Sequence, residues 1–326
     1  MRNLPIYGQK RMKVSSLDSL DKKILWELVG NCRISYRDLG KKVGLSASSV
    51  KKRIDNLENS GFIDHYIVAL NPEFTNVRLA TLLIFTDASV KIRTFKDAVM
   101  SVEGVYMILP LINGNFYLSI EYADQSVLDG LVQLIRTIEG VERVEIYDVF
   151  PPGAKSELPE APQFTRNELD VVSQLAINPR MVDHDIAARL QLPSKKVKQV
   201  LRNLQNENKI ALTLRWNPSL GRNIAFNLVI KYDPNLATAQ EITSRLSVLY
   251  PDLYFNSRVV ESRTTIFAVF ALEKVVDMET IAMTVLDFDE VVSCFAITYY
   301  NAIVGKTLSR IKLERLLEKE GLWPPK

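Results

Sequence analysis

The sequence repeats itself. Shifted by 147 positions, the segment beginning at Asn31 falls on the segment beginning at Asn178. Arg33 then meets Arg180, Asp38 meets Asp185 and Leu45 meets Leu192. Val50-Lys51 falls on Val197-Lys198, and Asn56-Leu57 on Asn203-Leu204. Upstream, Ile24, Leu25 and Leu28 align with Val171, Val172 and Leu175, and a shift of 146 carries Asn71-Pro72 onto Asn217-Pro218. The apolar positions match nearly throughout, so both copies are expected to build the same elements around the same core positions.

Between the copies runs PPGAKSELPEAP, from Pro151 to Pro162. Its four prolines fix φ and remove amide donors, which predicts an extended, semi-rigid linker. The expected division is an arm at residues 1–16, a three-helix unit at 17–70 and a strand-rich unit at 71–150. After the linker at 151–163, the plan returns at 164–216 and 217–300, and a helical tail occupies 301–326. The arm carries Arg2, Lys10, Arg11 and Lys13 and has no apolar run of the signal-peptide kind. It is expected to be a mobile tail, with a minor-groove or phosphate contact as the sharper alternative.

An apolar fraction of 47% supports packed cores, and no run of 18 apolar residues points to a membrane span. Cys32 and Cys294 stand far apart without CxxC spacing, so neither a disulfide framework nor a thiolate metal site is expected; a reducing cytoplasm fits. No catalytic constellation, metal set or cofactor motif is visible. Net charge is only +3, so what matters is where the cations sit.

In each copy, three amphipathic helices precede a strand. In the first copy Asp18 is placed to cap the first helix, and Ser35 the second, with Asp38 as an approximate capping box. Gly44-Leu45-Ser46 then supplies a left-handed stop followed by a new cap, the helix-turn-helix pattern. The third helix, residues 47–59, buries Val50, Ile54 and Leu57 and leaves a polar face. Ser46, Ser48, Ser49, Lys51, Lys52, Arg53 and Asn56 are the candidate DNA contacts there, hydroxyls near the helix start and cations beyond. The candidates in the second copy are Lys195, Lys196, Lys198, Gln199 and Arg202, with Val197, Leu201 and Leu204 inward. One basic helix face is ordinarily just solvated surface; its return on the third helix of both units favours double-stranded DNA as partner. Gln191 replaces Gly44 and Pro193, which still permits a helix start, replaces Ser46; with the tight turn lost, the second copy is expected to bind DNA more weakly or to serve only as a structural partner.

The second half of each copy reads as strand, helix, strand, strand, helix, strand. A split βαββαβ unit of this kind forms a four-stranded antiparallel sheet with helices on one face and a second apolar face needing a partner. The fold class is therefore α+β, winged helix-turn-helix units alternating with ferredoxin-like βαββαβ units. Asn113-Gly114-Asn115 carries the signal of a tight hairpin. Beyond residue 300, a helix at 306–321 is expected to pack on its own sheet or on a neighbouring chain.

The local wording resembles the Lrp/AsnC family of transcription regulators. LDSLDKKILWEL, SYRDLGKKVGLSASSVKKRIDNLENSGFI, VEGVYMILPLINGNFYLSIEY and IRTIEGVERVEIYDV carry that resemblance, clearly over residues 17–150 and more weakly over 164–300. It implies a cytoplasmic DNA-binding regulator with RAM-like sheet units that pair within the chain. It also implies a homodimer or higher homo-oligomer and allows a small-molecule effector. The family's effector loop reads Gly-x-Tyr-Asp, whereas the matching positions here are Gly114, Asn115, Phe116 and Tyr117, without the acidic residue. Asn113, Gly114 and Asn115 are thus a weak candidate ligand site.

Two rivals stand beside a sequence-specific regulator. One is a non-specific architectural DNA binder. The other is an enzyme like the siroheme decarboxylases, which are similar to this family in fold. Such chemistry would call for His and Arg converging in a sheet unit. The only histidines, His65 and His184, fall in the three-helix units.

Overall fold

The computed structural model describes residues 17–71, 75–149, 163–217, 224–260, 263–299 and 302–323. The expected arm, and the linker up to residue 162, lie outside the described residues. α1 (Ser19–Gly30), α2 (Tyr36–Val43) and α3 (Ala47–Asn59) lead into β1 (Ile63–Leu70). We call these four elements head 1. Next come β2 (Arg78–Thr86), α4 (Ile92–Val99), β3 (Val105–Pro110), β4 (Phe116–Tyr122), α5 (Gln125–Arg136) and β5 (Val141–Val149). Head 2 consists of α6 (Arg166–Ile177), α7 (Asp183–Leu190), α8 (Ser194–Asn206) and β6 (Ile210–Trp216). There follow β7 (Ile224–Tyr232), α9 (Ala239–Leu249), β8 (Tyr254–Val260), β9 (Thr265–Leu272), α10 (Val275–Leu286) and β10 (Val291–Thr298). β11 (Ile303–Val304) and α11 (Leu308–Lys319) close the described chain.

The two heads share strands. β1 does not fold back as a wing on its own helices but pairs antiparallel with β6, Tyr66 opposite Leu214 and Leu70 opposite Ile210. A lone strand leaves its amides and carbonyls unpaired, and each head supplies the other's partner. The cores interleave accordingly. Leu214, Phe255 and Ala271 from the second half pack with Ile24, Leu28, Val50 and Ile54 of head 1. Val68 and Leu70 of β1 pack with Val171, Leu175 and Leu204 of head 2. Burying each such leucine contributes about 1.5–3 kcal/mol, so neither head keeps its core without the other.

The strand orders are β11-β3-β4-β2-β5 and β10-β7-β9-β8, all neighbours antiparallel. One face of each sheet meets the other. Leu83, Tyr117 and Tyr147 pack against Val229, Phe267 and Ile297, with the Phe267 ring edge-on to Tyr147 at 5.0 Å. Arg258 crosses this seam, donating to the Thr81 Oγ1 at 3.1 Å and the Tyr117 hydroxyl at 3.4 Å. The opposite faces carry α4 and α5 on the first sheet, α9 and α10 on the second.

One expectation about the sheets needs correcting. The first sheet has five strands, because the C-terminal segment adds β11 beside β3 before its helix begins. α4 ends at Val99, and the chain turns at Gly104 with φ 88°, where a Cβ would collide with the Glu121 carbonyl oxygen. α11 then reaches head 2. Leu313 and Leu317 enter its core, and Arg310 donates to the carbonyls of Val68 at 2.8 Å and Ala176 at 3.2 Å.

Candidate nucleic-acid interface

In head 1 the local chemistry of each helix end sets the direction of the next helix. Asp18 caps α1 through the Asp21 amide at 2.8 Å, and Ser35 caps α2 through the Asp38 amide at 3.1 Å. In place of the reciprocal amide bond of the expected capping box, the Ser35 hydroxyl donates to the Asp38 carboxylate at 2.7 Å. Gly44 ends α2 at φ 73°, and Ser46 opens α3 by accepting from the Ser49 amide at 3.1 Å.

α3 turns Val50, Ile54 and Leu57 inward and leaves Ser46, Ser48, Ser49, Lys51, Lys52 and Asn56 exposed. Arg53 departs from expectation. Its Nη1 lies 2.7 Å from both Asp18 and Asp21, so the guanidinium is turned back onto the start of α1. The signal was in the sequence, since Asp18 and Asp21 are the carboxylates nearest the start of the helix that α3 packs on. Lys51 is likewise engaged, 2.7 Å from Asp55, a bond that raises its pKa. Lys52 is the one cation of α3 left without a carboxylate partner among the described residues.

Head 2 corrects a second expectation. Its turn is kept without glycine, because Gln191 itself adopts the left-handed conformation at φ 54°, ψ 37°. A side chain there is strained by about 1–2 kcal/mol, and the Leu192 amide compensates by donating to the Ala187 carbonyl at 3.0 Å. Pro193 occupies the cap of α8 with no side-chain bond. Lys195, Lys196, Lys198, Gln199 and Arg202 are all exposed, and none of the four cations forms an ion pair among the described residues. α8 carries no carboxylate, whereas α3 sets Asp55 and Glu58 against its three cations.

The aligned arginines do different work. Each sits after an asparagine whose Oδ1 accepts the arginine amide at 2.9 Å, at Asn31 and again at Asn178. Arg33 then reaches across to the carbonyls of Pro179 and Met181 and to Asp183, at 2.8, 2.7 and 2.8 Å. Arg180 lies over the rings of Tyr36 and Tyr66, 5.1 Å from each. The Cys32 amide donates to the Leu212 carbonyl at 3.0 Å, and the Thr213 hydroxyl to the Val29 carbonyl at 2.8 Å. Sequence reasoning used Arg33 and Arg180 only as markers of the repeat. They are clamps holding the heads together.

The weak candidate ligand loop lies elsewhere. Gly114 turns at φ 85°, and a Cβ there would meet Ala88 at 2.8 Å. Asn115 Oδ1 accepts the Thr86 amide at 2.9 Å, and Asn113 Oδ1 accepts the Asn115 amide at 3.3 Å. These bonds occupy the side-chain oxygens of Asn113 and Asn115 in holding the hairpin to its sheet. His65 sits beside Asp64 on β1, where burial and then the Arg215 guanidinium push its pKa down. His184 is exposed beside Asp185 near the start of α7. Among the described residues no three potential metal ligands cluster, and no helix is long and apolar enough to cross a membrane.

A family model described as winged helix-turn-helix DNA-binding matches residues 17–64. The match covers the three helices of head 1 and the start of β1, the strand that here pairs with β6. An uncharacterised helix-turn-helix transcriptional regulator of Pyrococcus horikoshii is 44% identical over 61 residues, 19% of this chain and 39% of that protein. The leucine-responsive regulatory protein of Escherichia coli K12 is 34% identical over 113 residues, 33% of this chain and 66% of that protein. The chain thus spans less than two thirds of the length of either relative. Among solved structures, the siroheme decarboxylase NirDL is similar over 93% of this chain and 99% of its own, with a TM-score of 0.53 and 14% identity. At that identity the likeness is one of fold alone. Both relatives matched by sequence are named as regulators, and the family model matched at residues 17–64 is one of DNA binding.

Proposed function

We propose that the chain is a sequence-specific transcription regulator whose two heads engage one DNA duplex, α3 and α8 each entering a major groove. The observation that carries this reading is the pair of exposed polar third helices, mounted on heads whose strands and cores interleave. On this reading residues 17–70 and 164–216 are two winged helix-turn-helix domains, residues 71–150 and 217–300 are RAM-like units, and the whole is a tandem duplication that pairs within itself. Assembly into a homodimer or larger homo-oligomer would multiply the reading heads.

The helices divide the work. Ser46, Ser48, Ser49 and Asn56 offer short hydrogen-bonding groups to base edges, with Lys51 and Lys52 beside them. Arg53 supports that helix from behind by its bonds to α1. Lys195, Lys196, Lys198 and Arg202 meet phosphates, and Gln199 faces the groove between them. Selection from randomised duplex at fixed salt tests this. A specific regulator enriches one site bound roughly 10³-fold or more above random DNA. Equal binding to all sequences with a steep salt dependence would instead mark an architectural DNA binder.

A further inference from the structure

The two halves of the chain finish their sheets differently. A shift of 150 lays α5 and β5 on α10 and β10, and β5 and β10 are the corresponding edge strands, each with one neighbour among the described strands. In the first half the open positions of this helix and strand are polar: Gln125, Ser126, Gln133, Arg136, Glu142 and Glu145. In the second half the same positions hold Val275, Val276, Met283, Leu286, Val292 and Phe295, all exposed. Val276 is 61% exposed, Met283 56% and Phe295 44%. α10 packs on β10, so the six lie along one margin of the molecule. Single exposed apolar residues are ordinary; a run of them where the other copy of the fold is polar marks a surface that is covered.

The strands show the same contrast. β5 carries Glu142, Arg143, Glu145 and Asp148, charges of the kind that keep a free edge from pairing, whereas β10 reads VVSCFAIT and has none. The ends of α10 select the partner. Lys274 stands just before the helix and Asp287 just after it, both exposed and neither in an ion pair among the described residues. A two-fold axis across the middle of α10 lays the helix antiparallel to its own copy. Lys274 of one copy then meets Asp287 of the other at both ends, and the apolar residues face each other between them. The surface is complementary to itself.

We propose that α10 and β10 form the face on which two copies of the chain pair about a two-fold axis, helix antiparallel to helix and β10 edge beside β10 edge. The first half lacks such a face, so association closes at two copies. The heads take no part, and the pairing goes beyond the regulator reading because it needs no DNA.

Sedimentation velocity of the full chain over a concentration series tests it, with a species of twice 37.0 kDa expected to grow with concentration. Giving the face its first-half residues, Val276→Ser, Met283→Gln, Leu286→Arg and Phe295→Glu together, should raise the dissociation constant about a hundredfold or more. All four side chains are exposed, so the thermal melt of the single chain should stay in place. Gln133→Ala with Arg136→Ala, in the first half, should leave the pairing unchanged. Lys274→Glu and Asp287→Lys should each weaken it, and the two together should restore it. A parent that stays single throughout the series overturns the proposal. So do pairing unaltered by the four substitutions, growth beyond two copies, and a double charge variant no tighter than the single ones.

Discussion

Heads 1 and 2 have the same plan and solve its chemistry differently. Head 1 has favourable local residues, Gly44 in the left-handed turn and Ser46 on the α3 amides, but its cations are largely engaged by carboxylates. Head 2 has a strained Gln191 and an uncapped α8, yet presents four cations and no carboxylate on that helix. Local stability and electrostatic reach are thus divided between the copies. Under the proposed two-headed reading, head 1 would discriminate bases and head 2 would grip the backbone.

The largest expected contrast lies in salt dependence. Replacing Lys195, Lys196, Lys198 and Arg202 by glutamine should flatten the log–log salt slope of DNA binding by about 3–4, against about 1 for Lys52→Gln. Fluorescence anisotropy across a salt series reads both, and equal losses would erase the division of labour. Next comes the turn. Gly44→Gln forces a side chain into the conformation that Gln191 already tolerates and should cost about 1–2 kcal/mol. Gln191→Gly should stay within about 1 kcal/mol of the parent, relief of strain offsetting the added freedom of the unfolded chain. Denaturant melts of both variants decide it. A smaller contrast is at the caps: Ser46→Ala is expected to cost about 1 kcal/mol, Pro193→Ala less than about 0.5, by the same melts.

Acid should separate the heads last and least. In head 2 burial pushes the Glu168 carboxyl up, but the Thr165 amide and the Lys209 ammonium together hold it below its ordinary 4.5. A depressed carboxyl stabilises the fold above its unfolded value, and that stability is lost as pH falls through the lower folded value. At the matching place in head 1, burial raises the Asp21 pKa, while Asp18 is held down against its own burial by the Asp21 amide and Arg53. Opposed shifts cancel in part. Below the ordinary glutamate value, α6 amides should therefore lose hydrogen-exchange protection before those of α1. The reverse order would remove this difference between the heads.

The helices were legible because apolar spacing and cap residues are local. α3 (Ala47–Asn59) and α8 (Ser194–Asn206) fall where the periodicity of Val50, Ile54, Leu57 and of Val197, Leu201, Leu204 puts them. What the sequence hid is long-range. The β1–β6 pairing joins residues about half the chain apart, and no local pattern distinguishes a strand that pairs with its own head from one that pairs with another. β11 is two residues long, too short for any period. Gln191 shows a further limit: the left-handed turn survives because α7 and α8 are held by their buried faces, and tertiary packing outweighs one unfavourable residue. At the candidate site the composition of the outer face was legible, but not which cations were already spoken for. Arg53 looked like its neighbours until α1 was laid beside it.

The most direct test is a hydroxyl-radical footprint of the full chain on its selected duplex. Two protected patches on one face of the DNA, about 10 base pairs apart, are expected if both interlocked heads enter successive major grooves. The patch assigned to α8 should fade on replacing its four cations while the other persists. A single patch, unaltered by changes in α8, would contradict a two-headed reader.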